Sequence, residues 1–287
     1  MSDKDLTMSL ADSLKLTQDT LQAGVIEILG EESKLLANLP FRFVEGSGIT
    51  YTVQKNQAKP QYRTVGEAYK PSEIEYENRT ESLAILGDEA IVDTYQNQIV
   101  ADYNDLMAIE VALKTKALAH AYQKAFLYGN TEEDIKAFNG LNKRLIKNQM
   151  FQSSGIVADD LDILADAVRG ANFAIMSKSK RRKLTNENRS LITKSTNEFG
   201  VQVTQYGEIV ICDLDDEVFQ AGDEGSIYVM RLSDVDGVCG LQNGGINVTP
   251  LGHMTGSPKL KTRIEWFTGM AVYDDRAIAK IEGIETE

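Results

Sequence analysis

The sequence is poor in the residues that build metal centres and disulfides. It contains two cysteines and two histidines in 287 residues. A zinc site made of Cys and His needs four ligands, so it would use Cys212, Cys239, His120 and His253 together, and no two of them have a metal-ligand spacing. We therefore expect no metal and no cofactor, and we interpret both cysteines as small buried residues of a reduced protein.

Long apolar runs and excess positive charge are also missing. No run of 18 apolar residues occurs, and no basic segment precedes an apolar one near residue 1. We expect neither a membrane span nor a secretory signal, and hence a chain that stays in the cytoplasm without a membrane partner. The net charge of -13 argues against sequence-specific DNA binding, because a duplex held by counterion release would need a local basic patch.

The sequence lacks the common catalytic motifs. No GxGxxG, GxxxxGK[ST], HExxH or GxSxG pattern is present, so we expect no enzyme and assign no catalytic residue. The acidic run from Asp213 to Glu217 could suggest a calcium loop, but Val218 stands where an EF-hand loop needs glycine. We interpret this run as a solvated acidic turn. His120 is interpreted as a packed or edge histidine.

The pattern of apolar residues predicts an α+β chain. Residues 8–37 have the spacing of one or two short amphipathic helices with too little apolar surface to stand alone. No Pro or Gly occurs from Asp88 to Tyr128, and apolar spacings of 3 and 4 predict a helix over Thr94 to Leu127, about 50 Å long at 1.5 Å per residue. The chain after Asn197 is rich in predicted strands. The many glycines between Gly237 and Gly256 predict tight turns or a mobile loop.

Between these helical regions, residues 41–93 alternate like two strands around a long polar stretch. The polar stretch includes Arg63, Glu67 and Lys70. An isolated two-stranded ribbon is marginally stable in water. The hairpin is therefore expected either to be mobile or to dock on a neighbour, and its charges are expected to serve contacts with another subunit.

A basic segment follows the short predicted strand Asn172 to Met176. Its five cations are Lys178, Lys180, Arg181, Arg182 and Lys183. Such a run on a short helix can bind phosphate or an acidic partner, or it can be a solvated face.

The order of these elements resembles the major capsid proteins of tailed bacteriophages, which have the HK97 fold. The resemblance covers nearly the whole chain. It depends on Gly129-Asn130 followed by Phe138-Asn139-Gly140-Leu141, on the step from strand to basic helix at Met176 to Leu184, and on the ending Trp266 to Ile281.

The resemblance implies a division of the chain into five parts. These are an N-terminal arm (1–40), an extended hairpin called the E-loop with flanking strands (41–92), a peripheral domain with a long spine helix (93–196), a β-rich axial domain (197–257) and C-terminal strands (258–287) that return to the peripheral domain. In that family the E-loop lies across an adjacent subunit. A tip loop of the axial domain is expected at Asn243-Gly244-Gly245.

The function implied by the resemblance is structural. The chain is expected to assemble into hexamers and pentamers of an icosahedral shell around double-stranded DNA, which it would touch without sequence specificity, with Lys178 to Lys183 as a lumenal basic patch. Expected partners are a portal protein and a separate scaffolding protein, and the expected location is the virion capsid, assembled in the host cytoplasm. An encapsulin-like compartment that holds a protein cargo is the alternative, and an enzyme is the third.

Overall fold

The computed structural model describes residues 7–17, 19–55, 58–69, 71, 73–100 and 106–283. Its helices are α1 (Leu10–Leu16), α2 (Thr20–Glu32), α3 (Lys34–Asn38), α4 (Thr94–Val100), α5 (Leu106–Tyr128), α6 (Leu141–Arg144), α7 (Val157–Ala167) and α8 (Lys178–Glu187). Its strands are β1 (Thr7–Met8), β2 (Phe41–Phe43), β3 (Gly48–Gln54), β4 (Tyr76–Ser82), β5 (Ala84–Asp93), β6 (Met150–Gln152), β7 (Phe173–Ser177), β8 (Ile192–Thr196), β9 (Gln202–Tyr206), β10 (Ile209–Leu214), β11 (Ile227–Met230), β12 (Val238–His253), β13 (Lys259–Val272) and β14 (Ile278–Glu282). The predicted α+β class is confirmed.

The strands of the described residues form three sheets. A five-stranded sheet has the order β1-β2-β12-β13-β5, a seven-stranded sheet has the order β6-β14-β11-β7-β10-β9-β8, and β3 pairs with β4 alone. Within the five-stranded sheet, β12 and β13 form a long antiparallel hairpin, and β13 also pairs antiparallel with β5 over ten residues of each strand. No helix in the described part of the chain is long and apolar enough to cross a membrane.

Helix α5 packs on the five-stranded sheet through an aromatic cluster. Leu118, Tyr122 and Phe126 recur every four residues, which places them on one face of the helix, and all are buried. The Tyr122 ring stacks on the single tryptophan, Trp266 of β13, at 4.9 Å between centroids, and Phe41 of β2 lies 5.3 Å from the same indole. This cluster belongs to the larger of two main apolar cores in the described residues.

Two glycines explain how the chain leaves α5. The Gly129 amide donates to the carbonyl of Ala125, and the Gly140 amide donates to the carbonyl of Gly129 at 2.7 Å. A Cβ at Gly129 would collide with the backbone oxygen of Phe138, and a Cβ at Gly140 with that of Ala125. The Gly129-Asn130 and Phe138-Asn139-Gly140-Leu141 motifs therefore bring two backbone segments into contact at the end of the helix.

The predicted spine helix is confirmed over most of its length. Its two ends are present as α4 and α5, and α5 runs to Tyr128. Residues 101–105 lie outside the described residues, so a single continuous helix from Thr94 stays a prediction. The N-terminal arm contains three helices, where one or two were expected, and it packs on the larger core with Leu29, Leu35 and Leu36 fully buried.

The seven-stranded sheet is buried on both faces at its centre. Every residue of β7 is buried. Phe173 and Ile175 belong to the larger core that includes α5, whereas Ala174 and Met176 belong to a second core with α7 and α8. A strand covered on both sides needs a continuous apolar run, which is what the sequence Phe173 to Met176 supplies.

The two large sheets cross the boundaries expected from the sequence. Strands β8 and β9 pair across the expected boundary between residues 196 and 197. Strand β12, expected within the axial part (197–257), belongs to the five-stranded sheet. The seven-stranded sheet instead gathers strands from β6 to β11 and takes β14 from the end of the chain. Strand pairing between distant segments decides this division, and the sequence pattern does not report such pairing.

A buried polar cluster joins α5 to the seven-stranded sheet. The Asp223 carboxylate accepts hydrogen bonds from the hydroxyls of Tyr128 and Tyr228, each at 2.5 Å, and lies 2.7 Å from Lys280 Nζ. Burial by itself would raise the pKa of Asp223, but hydrogen bonds from Lys280, Ser226 and the two tyrosines bring that pKa below its ordinary value. Asp223 is thus held as a carboxylate between α5 and the seven-stranded sheet.

Leu118 provides a test of the packing between α5 and the sheet. Leu118→Ala is expected to lower the free energy of unfolding by about 2–5 kcal/mol, because the side chain is buried and a cavity would remain. The matched control is Leu113→Ala on the same helix, whose side chain is 57% exposed and whose loss is expected to cost less than about 0.5 kcal/mol. Urea unfolding followed by circular dichroism measures both, and equal losses would contradict this packing.

Candidate assembly surfaces

The hairpin of β3 and β4 has two unlike faces. Tyr51 lies opposite Arg79 in the ladder, and Val53 lies opposite Glu77. Because side chains alternate along a strand, these residues share one face, on which Val53 is 1% exposed. The other face is exposed and polar, with Thr50 bonded to Thr80 and Thr52 bonded to Asn78.

The inward face docks on the hairpin's own subunit. Arg79 makes two hydrogen bonds to the Asp275 carboxylate, at 2.5 and 3.0 Å. Glu81, which is 4% exposed, pairs with Arg144 and accepts a hydrogen bond from the Tyr51 hydroxyl. The expectation that the whole hairpin is mobile or held by a neighbour is therefore wrong for its strands, because charged side chains that look solvated in the sequence are paired and partly buried here.

Between these strands, the described residues of the loop from 58 to 69 are open to solvent. Every described residue from 58 to 69 is exposed. Tyr62 and Val65 are completely exposed, and Tyr69 is 66% exposed. The residues predicted to contact another subunit are all charged, although apolar side chains within an otherwise polar stretch were a usable signal. We call Tyr62, Val65 and Tyr69 the apolar tip.

Two of the charged residues expected to contact another subunit, Arg63 and Glu67, shape the tip itself. Arg63 donates to the carbonyl of Glu67 at 3.3 Å, and its guanidinium lies 5.1 Å from the centre of the Tyr69 ring. The Glu67 carboxylate accepts from the Thr64 amide at 3.0 Å, and hydrogen bonds from Thr64 lower the pKa of Glu67. Lys70 lies outside the described residues. The role of Arg63, Glu67 and Lys70 between subunits stays a prediction.

The expected tip loop at Asn243-Gly244-Gly245 is wrong as local structure. These residues lie inside β12, where Asn243 pairs with Phe267 and Ile246 pairs with Trp266. Gly244 and Gly245 are the extra residues of a bulge and have φ of +73° and +72°, which favours glycine. The sequence suggested a loop because glycine serves both turns and bulges. Asn243 Nδ2 donates to the carbonyl of Gly46, at the root of the hairpin.

The basic segment forms helix α8, and acidic residues neutralise part of it. Arg181 Nε donates to Asp213 Oδ2 at 3.0 Å, and Lys178 pairs with Asp215. Asp213 is 8% exposed and also binds Lys34 of α3 at 2.5 Å. The acidic turn and the basic helix, which the sequence analysis treated separately, thus form one network that also holds the N-terminal arm.

The other cations of α8 differ in environment. Burial lowers the pKa of Lys180, while the nearby carboxylates of Asp160 and Glu187 act in the opposite direction. Arg182 and Lys183 are exposed. Among the described residues, neither has an ion pair within 4 Å. These two cations are the part of the basic patch that an external anion could reach.

The two cysteines and His120 differ in burial. Cys212 and Cys239 are buried free thiols. His120 lies 3.5 Å from Glu32 and lines an open cleft with Lys124 and Asp215. Within the described ranges, no group of three or more His, Cys, Asp or Glu side chains is arranged to hold a metal ion.

A comparison with protein families decides the affiliation of the chain. The family model described as major capsid protein GP7 matches residues 17–160, half of the chain. The chain belongs to this family. The match covers α2 and α3 of the N-terminal arm, the hairpin, α5 and the beginning of α7. No curated protein matches the sequence.

Solved structures similar to this GP7 family member come from an encapsulin, a phage and a virus-like particle. The SrpI encapsulin of Synechococcus elongatus PCC 7942 has a TM-score of 0.64 at 16% identity, with 86% of each chain covered. A protein of Microbacterium phage Oxtober96 has a TM-score of 0.62 at 15% identity, covering 87% of this chain and 90% of that one. A virus-like particle of Pyrococcus furiosus has a TM-score of 0.56 at 13% identity, covering 91% and 97%.

The comparisons confirm the resemblance drawn from the sequence. The chain is a major capsid protein by family and has the HK97-like fold. Membership of a major capsid protein family implies that the chain associates with copies of itself into a shell. Similarity at these identities describes the fold, which phage capsids and encapsulins share.

Arg181 and Arg182 allow a matched test of the network on α8. Arg181→Gln is expected to lower the free energy of unfolding by about 1–3 kcal/mol, because it removes a hydrogen bond to the buried carboxylate of Asp213. Arg182→Gln removes an equal charge from an exposed position and should change that free energy by less than about 0.5 kcal/mol. Thermal or urea unfolding compares them, and equal effects would refute the pairing.

Proposed function

We propose that this chain is the structural subunit of a phage capsid and assembles as hexamers and pentamers into an icosahedral shell around double-stranded DNA. The observation that carries the proposal is the exposed apolar tip of a hairpin whose strands are anchored on the subunit. A second copy of the chain is the partner that would cover it.

The exposed area of the subunit supports self-association. The isolated chain exposes 16,360 Å², whereas a compact monomer of its mass exposes roughly 12,000 Å². The excess is several times the ~800 Å² that each partner buries in a standard interface. A chain with such an extended surface gains by burying it against copies of itself.

The fold suggests how the subunit is arranged in a capsomer. We assign α5 and the five-stranded sheet to the peripheral domain, and the seven-stranded sheet with α7 and α8 to the axial domain. The hairpin is the E-loop that reaches the adjacent subunit, with Arg63 and Glu67 shaping its tip. This assignment replaces the boundaries expected from the sequence, because it follows the strand pairing.

The net charge of -13 suits a wall that does not hold DNA tightly. Arg182 and Lys183 would provide weak contacts with phosphate or with an acidic scaffolding segment if α8 faces the lumen. A portal protein and a separate scaffolding protein complete the proposed set of partners, and the proposed location is the virion capsid, assembled in the host cytoplasm. The similarity to the SrpI encapsulin supports a cargo-holding compartment as the second candidate.

The apolar tip provides the first test. The double variant Tyr62→Ser with Val65→Ser is expected to leave the free energy of unfolding within about 0.5 kcal/mol, because both side chains are fully exposed. The yield of particles should fall strongly. Sedimentation and negative-stain microscopy measure particles, and Gln61→Ser is the control at an adjacent exposed polar position. Normal particle yield, or loss of the folded subunit, would contradict an assembly role for the tip.

The contents of the shell separate the two candidates. Particles from the native source should contain nuclease-protected double-stranded DNA if the chain is a phage capsid, and a protein cargo if it forms a compartment.

Binding of DNA by dissociated subunits should weaken with salt at a log-log slope of about -2, since two cations are free to contact phosphate. Arg182→Gln with Lys183→Gln should remove that binding. Tight, sequence-selective binding at high salt would contradict the proposed wall.

A further inference from the structure

The hairpin is attached to the subunit at more places than its root. At the root, β2 leads into β3 through Val44 to Ser47, and Leu83 alone separates β4 from β5. The Leu83 amide donates to the carbonyl of Ser47, and the Val44 amide donates to that of Gln242. These bonds fix where the hairpin begins. They leave the direction of the ribbon to contacts farther along its strands.

Two ion pairs on the inward face supply such contacts. The guanidinium of Arg79 meets the Asp275 carboxylate through both terminal nitrogens, and the two side chains are 14% and 17% exposed. Glu81 and Arg144 form the second pair, 4% and 17% exposed. A bidentate pair between a guanidinium and a carboxylate requires a defined mutual orientation. The planar groups of Arg79 and Asp275 therefore constrain the angle between β4 and the body of the subunit.

The partners of the hairpin lie in two of the segments that join the large sheets. Asp275 lies in the short turn between β13 of the five-stranded sheet and β14 of the seven-stranded sheet. Arg144 ends α6, which lies between α5 and β6, an edge strand of the seven-stranded sheet. The hairpin is thus tied to two connections between the five-stranded and seven-stranded sheets as well as to the sheet from which it grows.

We propose that Arg79, through its pair with Asp275, is a positioning residue for assembly. The pair sets the angle at which the hairpin leaves the subunit and so places the apolar tip where a second copy of the chain can cover it. Arg79 itself does not contact that copy. This inference rests on the proposed function, because it takes the tip as the assembly contact.

The test compares variants of the full chain in the dissociated state and in assembly. Arg79→Gln and Asp275→Asn each remove the pair, and the double variant removes it from both sides. Arg276→Gln is the matched control, because Arg276 lies beside Asp275 but pairs with Asp274, in its own turn. Arg79→Lys keeps the charge and lacks the planar fork.

The direct readout is the spread of distances between the tip and the body. Spin labels are placed at Thr64→Cys on the tip and at Glu208→Cys in the exposed turn between β9 and β10, and the native cysteines are buried. We expect a narrow distribution for the parent and for Arg276→Gln, a clearly broader one for Arg79→Gln and Asp275→Asn, and an intermediate one for Arg79→Lys. The double variant should be no broader than either single variant, since the pair acts as a unit.

Particle yield is the second readout, and it should fall at least tenfold in Arg79→Gln and in Asp275→Asn. An unchanged distance distribution in these variants, a broad distribution with normal particle yield, or an equal effect of Arg276→Gln would overturn the inference. If Arg79→Gln does not fold, Asp275→Asn and Arg79→Lys decide it. Absence of particles from the parent chain would instead overturn the proposed function, while the label distances still report whether the pair positions the hairpin.

Discussion

The packing of α5 against the five-stranded sheet is the contact on which the rest of the structure depends. Trp266 contacts both Tyr122 of α5 and Phe41 of β2, so one side chain links the helix, the inner strand β13 and the strand that follows the N-terminal arm. Both strands from which the hairpin grows belong to this sheet. A change in the helix-to-sheet packing would therefore move the root of the hairpin as well.

Polar and apolar groups are distributed in an unusual way around this core. Carboxylates that are mostly buried, among them Glu81, Asp213 and Asp223, sit where separate elements meet, each with at least one cation. The apolar tip, in contrast, lies in water. Paired buried charges orient the elements that they join, because a misplaced partner would leave a buried charge unsatisfied. Exposed aromatic and aliphatic side chains suit an interface that forms only on assembly.

The network around Asp213 changes the meaning of the basic helix. Arg181 and Lys34 approach the same buried carboxylate, so these cations hold the arm, β10 and α8 together. Only the exposed cations of α8 remain for an outside partner. A count of charges along the sequence therefore overstates the positive potential that this surface presents, since opposite charges from other segments lie within hydrogen-bond distance.

Local patterns determined much of this protein from its sequence alone. Apolar residues spaced three and four apart, in a stretch without Gly or Pro, indicated α5. Alternation of apolar and polar residues indicated the hairpin strands, and the order of motifs indicated the HK97-like fold. Each of these signals is carried by neighbouring residues. Tertiary structure decided what depends on distant segments. It divided the strands between two sheets, turned Asn243-Gly244-Gly245 into a bulge, and paired Arg79 with Asp275. These features could not be predicted from the sequence, because pairing across long stretches of chain depends on three-dimensional packing and leaves no periodic pattern.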